Sequence, residues 1–179
     1  MALLTTDDGV KLYYEETGTG TPIVFVHEFA GDHRSWEPQV RYFSRRYRCI
    51  TYGARGYPPS EVPGDLERYS QERWREDLRS VMNALALPAA HIVGLSMGAF
   101  ATLHFGMRYC AKGSPARALS LTLAGCGTGS HPAAYRKFQE EARGLAAGIQ
   151  QHGMAHFAAT YGHGPGRIQI GRASCRERV

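Results

Sequence analysis

The chain has 179 residues, of which 43% are hydrophobic, and a formal net charge of +5 at pH 7. This length predicts one globular domain, or one domain and part of another. No apolar run approaches the roughly 20 residues of a membrane span, the start lacks the pattern of a signal peptide, and the basic residues are scattered, so neither a membrane nor a nucleic-acid partner is indicated. The four cysteines show no CxxC spacing and no disulfide framework, which favours a cytoplasmic protein.

The chain begins with the pattern of a β-hairpin. Residues 3–6 and 10–17 read as two antiparallel strands, because they flank the turn signal Asp7-Asp8-Gly9 and the second alternates apolar and polar residues. Residues 23–26 then form a continuous apolar run, which is typical of a strand inside a parallel sheet. This strand ends at His27.

Two helices and a further strand follow. Apolar residues at helical spacing predict the first helix; they are Trp36, Val40, Phe43 and Tyr47. Residues 48–52 form the next strand, and residues 53–60 the loop after it. Ser70 is the expected N-cap of the second helix, which Pro88 closes off.

The central motif is Gly94-Leu95-Ser96-Met97-Gly98, between a short apolar strand and a helix rich in small residues. Gly-x-Ser-x-Gly in this setting is the nucleophile-elbow pattern. The turn forces Ser96 into a strained conformation that exposes its hydroxyl, while Gly94 and Gly98 stand where a Cβ would clash. The N–H of Met97, at the helix start, is well placed to stabilise an oxyanion. The alternative is an ordinary strand–helix turn with an incidental serine.

Strands alternate with helices up to a last strand at residues 118–124. This alternation predicts an α/β fold with a mostly parallel sheet and helices on both faces. After Pro132 the sequence pattern changes, and apolar residues at helical spacing predict a helix over residues 135–149. A second helix is expected across residues 154–158.

With the elbow, the strand ending in His27-Glu28, and Arg55-Gly56, the chain resembles the α/β-hydrolase fold family from about residue 3 to 169. In that family a His-Gly-x-x-x-Gly-like motif follows the third strand, and the residue after its His-Gly pair offers a second oxyanion N–H. The resemblance implies that this donor is Phe29, paired with Met97, with His27 as part of the supporting motif.

The loop at residues 53–60 is similar to the family's Asp-x-Arg-Gly-x-Gly-x-Ser. It matches at three positions, Arg55, Gly56 and Ser60. The alternative for its arginine and serine is a purely structural role in holding loops together. Two departures stand out: Gly53 replaces the usual Asp, and Glu28 replaces the usual glycine. A carboxylate aimed at an oxyanion would oppose catalysis, so we expect Glu28 to turn away or to be engaged by a cation.

The resemblance also orders the catalytic triad as serine, acid, histidine, with a cap inserted after the sixth strand. Residues 1–130 are then the N-terminal part of an incomplete hydrolase core, and residues 131–169 the start of a helical cap. No carboxylate stands in residues 125–129, so we expect the acid and histidine beyond this chain. The late histidines read as solvated cap residues rather than metal ligands, since His-Gly-Met-Ala-His lacks the glutamate of a zinc-protease helix; they are His131, His152, His156 and His163.

The last ten residues, 170–179, match a translated short-read sequencing adapter. Reading ATC GGA AGA GCG TCG TGT AGG GAA AGA GTG returns Ile-Gly-Arg-Ala-Ser-Cys-Arg-Glu-Arg-Val, the sequence of this tail. We therefore hypothesise that residues 170–179 are not native and that the gene is cut near residue 169.

These observations predict a serine hydrolase that cleaves a small ester, lactone, thioester or carbon–carbon bond through an acyl-enzyme, with a small-molecule substrate and no metal or organic cofactor. Serine at the elbow argues against dehalogenase or epoxide-hydrolase chemistry, in which the resemblance places an aspartate there. The 179-residue chain itself is expected to be inactive, because it lacks the base. The alternatives are a non-catalytic binding or receptor protein, motivated by Glu28, and an acyltransferase or perhydrolase with the same site. The oligomeric state stays open.

Overall fold

The structure, a computed structural model, describes residues 2–110, 116–127 and 130–161. The chain divides into two compact units, Met1–Cys126 and Gly127–Val179. The tail at residues 170–179 lies outside the described residues, as does His163. Within the described ranges, no helix has both the length and the apolar character needed to cross a bilayer.

The first unit is built on a six-stranded sheet. Its strands are β1 (Leu3–Thr5), β2 (Lys11–Thr17), β3 (Thr21–Val26), β4 (Tyr47–Tyr52), β5 (Ala90–Leu95) and β6 (Ala118–Ala124). They are arranged in the order β1-β2-β4-β3-β5-β6. β1 pairs antiparallel with β2, and β2 with β4, whereas β4, β3, β5 and β6 run parallel. The predicted mostly parallel sheet is confirmed.

Three helices connect these strands. They are α1 (Glu37–Phe43), α2 (Gln71–Ala84) and α3 (Met97–Tyr109), with short 3-10 turns at His33–Trp36 and Leu66–Arg68. Ser70 caps α2 as expected, because its side chain accepts a hydrogen bond from the N–H of Arg73 at 3.1 Å. The prediction for α1 was wrong at its end. Tyr47 begins β4 rather than continuing the helix, and its ring still packs edge-on against Phe43.

Alternate residues of β3 face opposite sides of the sheet, and each side is covered by helices. Val24 and Val26 belong to a core cluster that includes residues of α2 and α3, such as Leu78 and Phe105. On the other side, residues of β3 pack with Trp36 and α1. A strand with a period of two that is buried on both faces is expected in a doubly covered parallel sheet. The predicted helices on both faces are therefore present.

The outer strand β6 is unusually exposed for a parallel strand. Leu119, Leu121 and Leu123 are 54%, 37% and 39% exposed. Parallel strands of this composition are normally buried. Within the described residues, β6 is the outermost strand of the sheet, and these three leucines are only partly covered.

A buried guanidinium joins three parts of the first unit. Arg55, in the loop after β4, is fully buried. It donates two hydrogen bonds to Asp77 on α2, two to Asp8 in the β1–β2 turn, and one to the carbonyl of Arg68, at 2.6–2.9 Å. All five of its N–H groups are therefore satisfied. The hydrogen bonds from Arg55 hold the pKa of Asp8 well below its usual range.

Ser60 closes the same loop. Its hydroxyl donates to the carbonyl of Gly53 at 2.8 Å and accepts from the N–H of Tyr13 at 2.9 Å. A Cβ at Gly53 would lie 2.9 Å from the Ser60 hydroxyl oxygen. Glycine at this position, where the family pattern has aspartate, therefore leaves room for the hydrogen bond from Ser60 to the Gly53 carbonyl. Arg55 and Ser60 accordingly play the structural role that the sequence had left as an alternative.

The described part of the second unit is one helical stretch, α4 (Pro132–Tyr161), broken at Gly153, where φ is 79° and ψ is 169°. The two helices predicted here are thus found on either side of a kink. His152 and His156 lie next to each other, with ring centroids 5.0 Å apart. That this unit begins a cap stays a prediction.

Candidate active site

Ser96 occupies a sharp turn between β5 and α3. Its φ of 50° and ψ of −111° lie in a region that L-residues other than glycine rarely adopt, at a cost of about 1–3 kcal/mol. Its N–H donates to Ala124 at 2.8 Å, and its carbonyl accepts from Ala99 and Phe100. The strained backbone is therefore held from both sides by the sheet and the helix.

The hydroxyl of Ser96 is left available by this arrangement. It does not cap α3, and the half-buried side chain hydrogen bonds to no other residue in the described part of the chain. The first N–H groups of a helix have no intrahelical partner and carry partial positive charge. Met97, the residue after Ser96, is the first residue of α3, so its N–H is one of these groups.

The two glycines of the motif allow the turn to approach its neighbours closely. A Cβ at Gly98 would lie 2.2 Å from the carbonyl oxygen of Val26 and 2.7 Å from that of His27. A Cβ at Gly94 would lie 2.3 Å from the carbonyl oxygen of Gly98. These contacts are with backbone atoms, so no side-chain rotation relieves them. The elbow consequently sits directly against the end of β3.

Replacing Gly98 with alanine is expected to destabilise the protein by about 3 kcal/mol, because the added methyl group overlaps the backbone of β3. Gly64→Ala is the matched control, since a Cβ at Gly64 meets nothing within 4 Å, and we expect a change within about 0.5 kcal/mol. Urea unfolding followed by tryptophan fluorescence measures both. Equal midpoints for the two variants would contradict the close approach.

The loop after β3, residues 27–32 (the β3 loop), is anchored by a buried histidine. His27 accepts the N–H of Ala54 at its Nε2 atom, 3.0 Å away. Its Nδ1 atom lies 2.8 Å from the carbonyl oxygen of Glu28, so Nδ1 carries the proton of the neutral ring. Burial lowers the pKa of His27, which keeps it neutral. Its role in the loop is structural, and both of its ring nitrogens are occupied.

Glu28 turns its carboxylate towards the next turn of the chain. Its Oε1 atom lies 3.2 Å from the Ser35 hydroxyl, and a Cβ at Gly31 would meet that oxygen at 2.1 Å. The Oε2 atom is buried and has no hydrogen-bond partner among the described residues. No lysine or arginine of the described ranges pairs with this carboxylate, so the cation that the sequence offered as one option is not found.

Tyr57 links the β3 loop to the elbow. Its hydroxyl donates to the carbonyl oxygen of Phe29 at 2.8 Å and lies 3.7 Å from the sulfur of Met97. Its ring packs edge-on against His27, with centroids 4.7 Å apart. Burial, together with the charge of Glu28, raises the pKa of Tyr57 to about 12. The structure thus brings Phe29 and Met97, which are far apart in sequence, to one hydroxyl.

Sequence reasoning did not single out Tyr57. It occupies a variable position of the loop pattern, directly after Arg55-Gly56, and a lone tyrosine in a loop carries no signal of its partner. The one available signal was that an aromatic residue stands next to the matched motif, which is compatible with packing against a neighbouring loop.

Two further histidines of the first unit lie close to residues other than Ser96. His33 lies 3.4 Å from Glu15, and His91 Nδ1 lies 2.7 Å from the Ser120 hydroxyl. In the described part of the chain, no histidine hydrogen bonds to Ser96. Nor do three or more His, Cys, Asp or Glu side chains converge there as a metal site requires.

A cavity of about 10 Å³ lies behind the elbow. It is lined by Val26, Tyr52, Ala54, Trp74, Asp77, Met97, Gly98 and Ala101. Space of this size accommodates about one water molecule, so this cavity is not a substrate site.

Comparison with known proteins agrees with this architecture. A family model described as alpha/beta hydrolase fold matches residues 21–168. The chain is 31% identical over 112 residues to 3-oxoadipate enol-lactonase 1 of Acinetobacter baylyi, an alignment covering 62% of this chain and 41% of the lactonase. This chain therefore spans about two fifths of that relative's length.

Two solved structures extend the comparison. A hydrolase from Pseudomonas aeruginosa superposes with a TM-score of 0.72 at 28% identity, covering 88% of this chain and 56% of the other. An epoxide hydrolase from Bacillus megaterium gives a TM-score of 0.59 at 30% identity, covering 61% of this chain and 38% of the other. The similar proteins are thus hydrolases with different substrates.

Proposed function

The chain belongs to the α/β-hydrolase fold family, and from this premise we propose that the complete gene product is a serine hydrolase. Its substrate is a small molecule, in which the enzyme cleaves an ester, a lactone, a thioester or a carbon–carbon bond next to an acyl group. The observation that carries the proposal is Ser96, held at φ 50° at the start of α3 with a hydroxyl that caps nothing. A serine on a strained turn at a helix N-terminus, with its hydroxyl not used for capping, is the arrangement expected of a nucleophile elbow.

In the proposed mechanism the Ser96 oxygen attacks the acyl carbon while a histidine takes its proton. The resulting oxyanion is held by the N–H groups of Met97 and Phe29. The histidine then protonates the leaving group, and an acyl-enzyme remains. A water molecule, deprotonated by the same histidine, releases the acid and restores Ser96. No metal or organic cofactor takes part.

The nature of the nucleophile supports acyl chemistry over epoxide opening. Epoxide hydrolysis in this family uses an aspartate at the elbow, as the resemblance implies, whereas this chain has Ser96. The likeness to an epoxide hydrolase therefore supports the fold and not the substrate. Acyl transfer to an acceptor other than water, or perhydrolysis, would use the same residues.

We place the triad acid and histidine beyond residue 169 of the complete gene product, and the 179-residue chain is proposed to be inactive. Two observations support this. No histidine among the described residues hydrogen bonds to Ser96, and the chain spans 41% of the lactonase it matches. We further propose that residues 131–169 begin a cap and that residues 170–179 derive from an adapter. Sequencing the locus past Gln169 tests both the tail and the missing residues.

A second candidate function is ligand binding without turnover. It is favoured by Glu28, the residue directly after His27. The Oε2 atom of Glu28 is buried and has no hydrogen-bond partner among the described residues. An unneutralised carboxylate near an oxyanion would reduce catalysis. A receptor with this fold would bind a small ligand near Ser96 and leave the serine unactivated.

A fluorophosphonate probe is expected to label the complete gene product at Ser96, because phosphonylation requires a serine activated by a base and an oxyanion site. Mass spectrometry of the peptide containing Ser96 locates the adduct. The 179-residue chain should stay unlabelled, and it should not turn over p-nitrophenyl acetate. A complete protein that resists the probe supports the binding function, while labelling of the short chain would overturn its proposed inactivity.

A further inference from the structure

Two hydrogen bonds connect the β3 loop to the loop after β4, residues 53–60 (the β4 loop). The N–H of Ala54 donates to His27 at 3.0 Å, and the hydroxyl of Tyr57 donates to the carbonyl oxygen of Phe29 at 2.8 Å. Glu28 lies between the two contact points of the β3 loop. The β3 loop is therefore held on both sides of the peptide that carries the Phe29 N–H.

The direction of that N–H follows from peptide planarity. The carbonyl oxygen of Glu28 lies 2.8 Å from the Nδ1 atom of His27 and also accepts from Gly31 at 3.3 Å. In a trans peptide the C=O and N–H point in opposite directions, so the Phe29 N–H points away from the His27 ring. The next carbonyl, that of Phe29, is held by Tyr57. Rotation of the peptide that carries the Phe29 N–H is thus restrained from both ends.

Tyr57 also contacts the elbow itself. Its hydroxyl oxygen lies 3.7 Å from the sulfur of Met97, whose own N–H is the other proposed oxyanion donor. One side chain therefore touches the two residues whose N–H groups must converge on a single oxygen atom.

We propose that Tyr57 is a positioning residue, whose hydroxyl sets the Phe29 N–H against the Met97 N–H so that both reach one oxyanion. This proposal rests on the proposed hydrolase function and adds the residue that aligns its oxyanion site. Tyr57 acts through Phe29 and does not itself touch the reacting atoms.

The hydroxyl keeps its proton under working conditions. Because burial and Glu28 raise the pKa of Tyr57 to about 12, it remains a hydrogen-bond donor across neutral and mildly alkaline pH. A donor that does not titrate holds the β3 loop in one arrangement throughout that range. Proton transfer by Tyr57 plays no part in this role.

The ring and the hydroxyl of Tyr57 can be separated experimentally. The ring packs against His27, and the backbone of Tyr57 forms a turn with Ala54 and Ser60. Tyr57→Phe keeps the ring and the turn and removes only the hydroxyl. Tyr42→Phe is the matched control, because Tyr42 lies on α1 with 69% of its surface exposed.

In the complete gene product, Tyr57→Phe is expected to lower kcat for p-nitrophenyl acetate by about 10- to 100-fold, because small misplacements of catalytic groups have effects of this size. KM should change less than about twofold, since the ground-state substrate makes little use of the oxyanion site. Labelling by the fluorophosphonate should slow in parallel. Tyr42→Phe should match the unmodified protein in all three measurements.

The melting temperature distinguishes positioning from a purely structural role. We expect it to stay within about 3 °C of the unmodified protein in Tyr57→Phe, since one hydrogen bond contributes about 1 kcal/mol. Unchanged kcat overturns the proposal, and so does a loss of activity that follows a loss of folded protein. Full turnover in Ser96→Ala would instead refute the proposed hydrolase function, whatever Tyr57→Phe does.

Discussion

Ser96→Ala in the complete gene product is expected to lower kcat/KM for p-nitrophenyl acetate by about 10⁴-fold or more, since removing a serine nucleophile eliminates the acyl-enzyme route. The residual rate comes from substrate binding and the remaining N–H donors. Steady-state kinetics with active-site titration measures the effect. Ser120→Ala is the control, because Ser120 is exposed on β6 and its hydroxyl hydrogen bonds, within the described residues, only to His91.

Stability should respond differently to two substitutions at Ser96. The φ of 50° is a cost that alanine shares with serine and that glycine avoids. Ser96→Gly should therefore be as inactive as Ser96→Ala but more stable by about 1 kcal/mol. Unfolding midpoints in urea give the comparison. Equal stability of the two variants would argue against backbone strain at the elbow, and near-normal turnover by either would remove Ser96 from the mechanism.

Arg55→Met is expected to destabilise the protein by about 3–5 kcal/mol, the usual cost of breaking a buried ion pair. Asp77 is 1% exposed and would lose both hydrogen bonds from the guanidinium. Methionine fills part of the vacated volume, so the loss reports the unpaired charge more than a cavity. Urea unfolding of the complete gene product, with circular dichroism as the probe, provides the measurement.

Two further variants test the origin of this loss. Arg41→Met removes a surface ion pair between Arg41 and Glu37, whose two side chains are 75% and 58% exposed, respectively. This substitution should lower the free energy of unfolding by less than about 0.5 kcal/mol. The double variant Arg55→Met/Asp77→Leu removes both buried charges and should be more stable than Arg55→Met alone. A double variant that is no better than the single one would show that packing, not charge, dominates at Arg55.

The regular elements were predictable because their signals are local. Alternation in residues 10–17 and the apolar run at residues 23–26 both led to strands, and Ser70 marked the start of α2 correctly. The end of α1 was missed for a physical reason. Tyr47 continues the helical spacing of apolar residues, but it packs into the same cluster from a strand, and spacing alone does not distinguish the two.

Within the candidate site, the motif located Ser96 at the junction of β5 and α3 without help from tertiary structure. Gly-x-Ser-x-Gly is a contiguous pattern, so its strand–turn–helix setting follows from its immediate neighbours. Whether the Glu28 carboxylate turns away or pairs with a cation could not be predicted from neighbouring residues in the same way. Its outcome depended on Ser35 and Gly31, which the turn after β3 folds back onto the carboxylate.

The sequence by itself thus determined the order of strands and helices, the family, and the position of Ser96. Only the tertiary structure decided which side chains support it. Arg55 meets Asp8 across 47 residues, and Tyr57 meets Phe29 across 28. These pairs form because β4 lies between β2 and β3 in the sheet, which places the β4 loop beside both the β1–β2 hairpin and the β3 loop. Hydrogen-bond partners so far apart in the chain leave no periodic or local signal in the sequence. The order of the strands in the sheet is what brings these partners together.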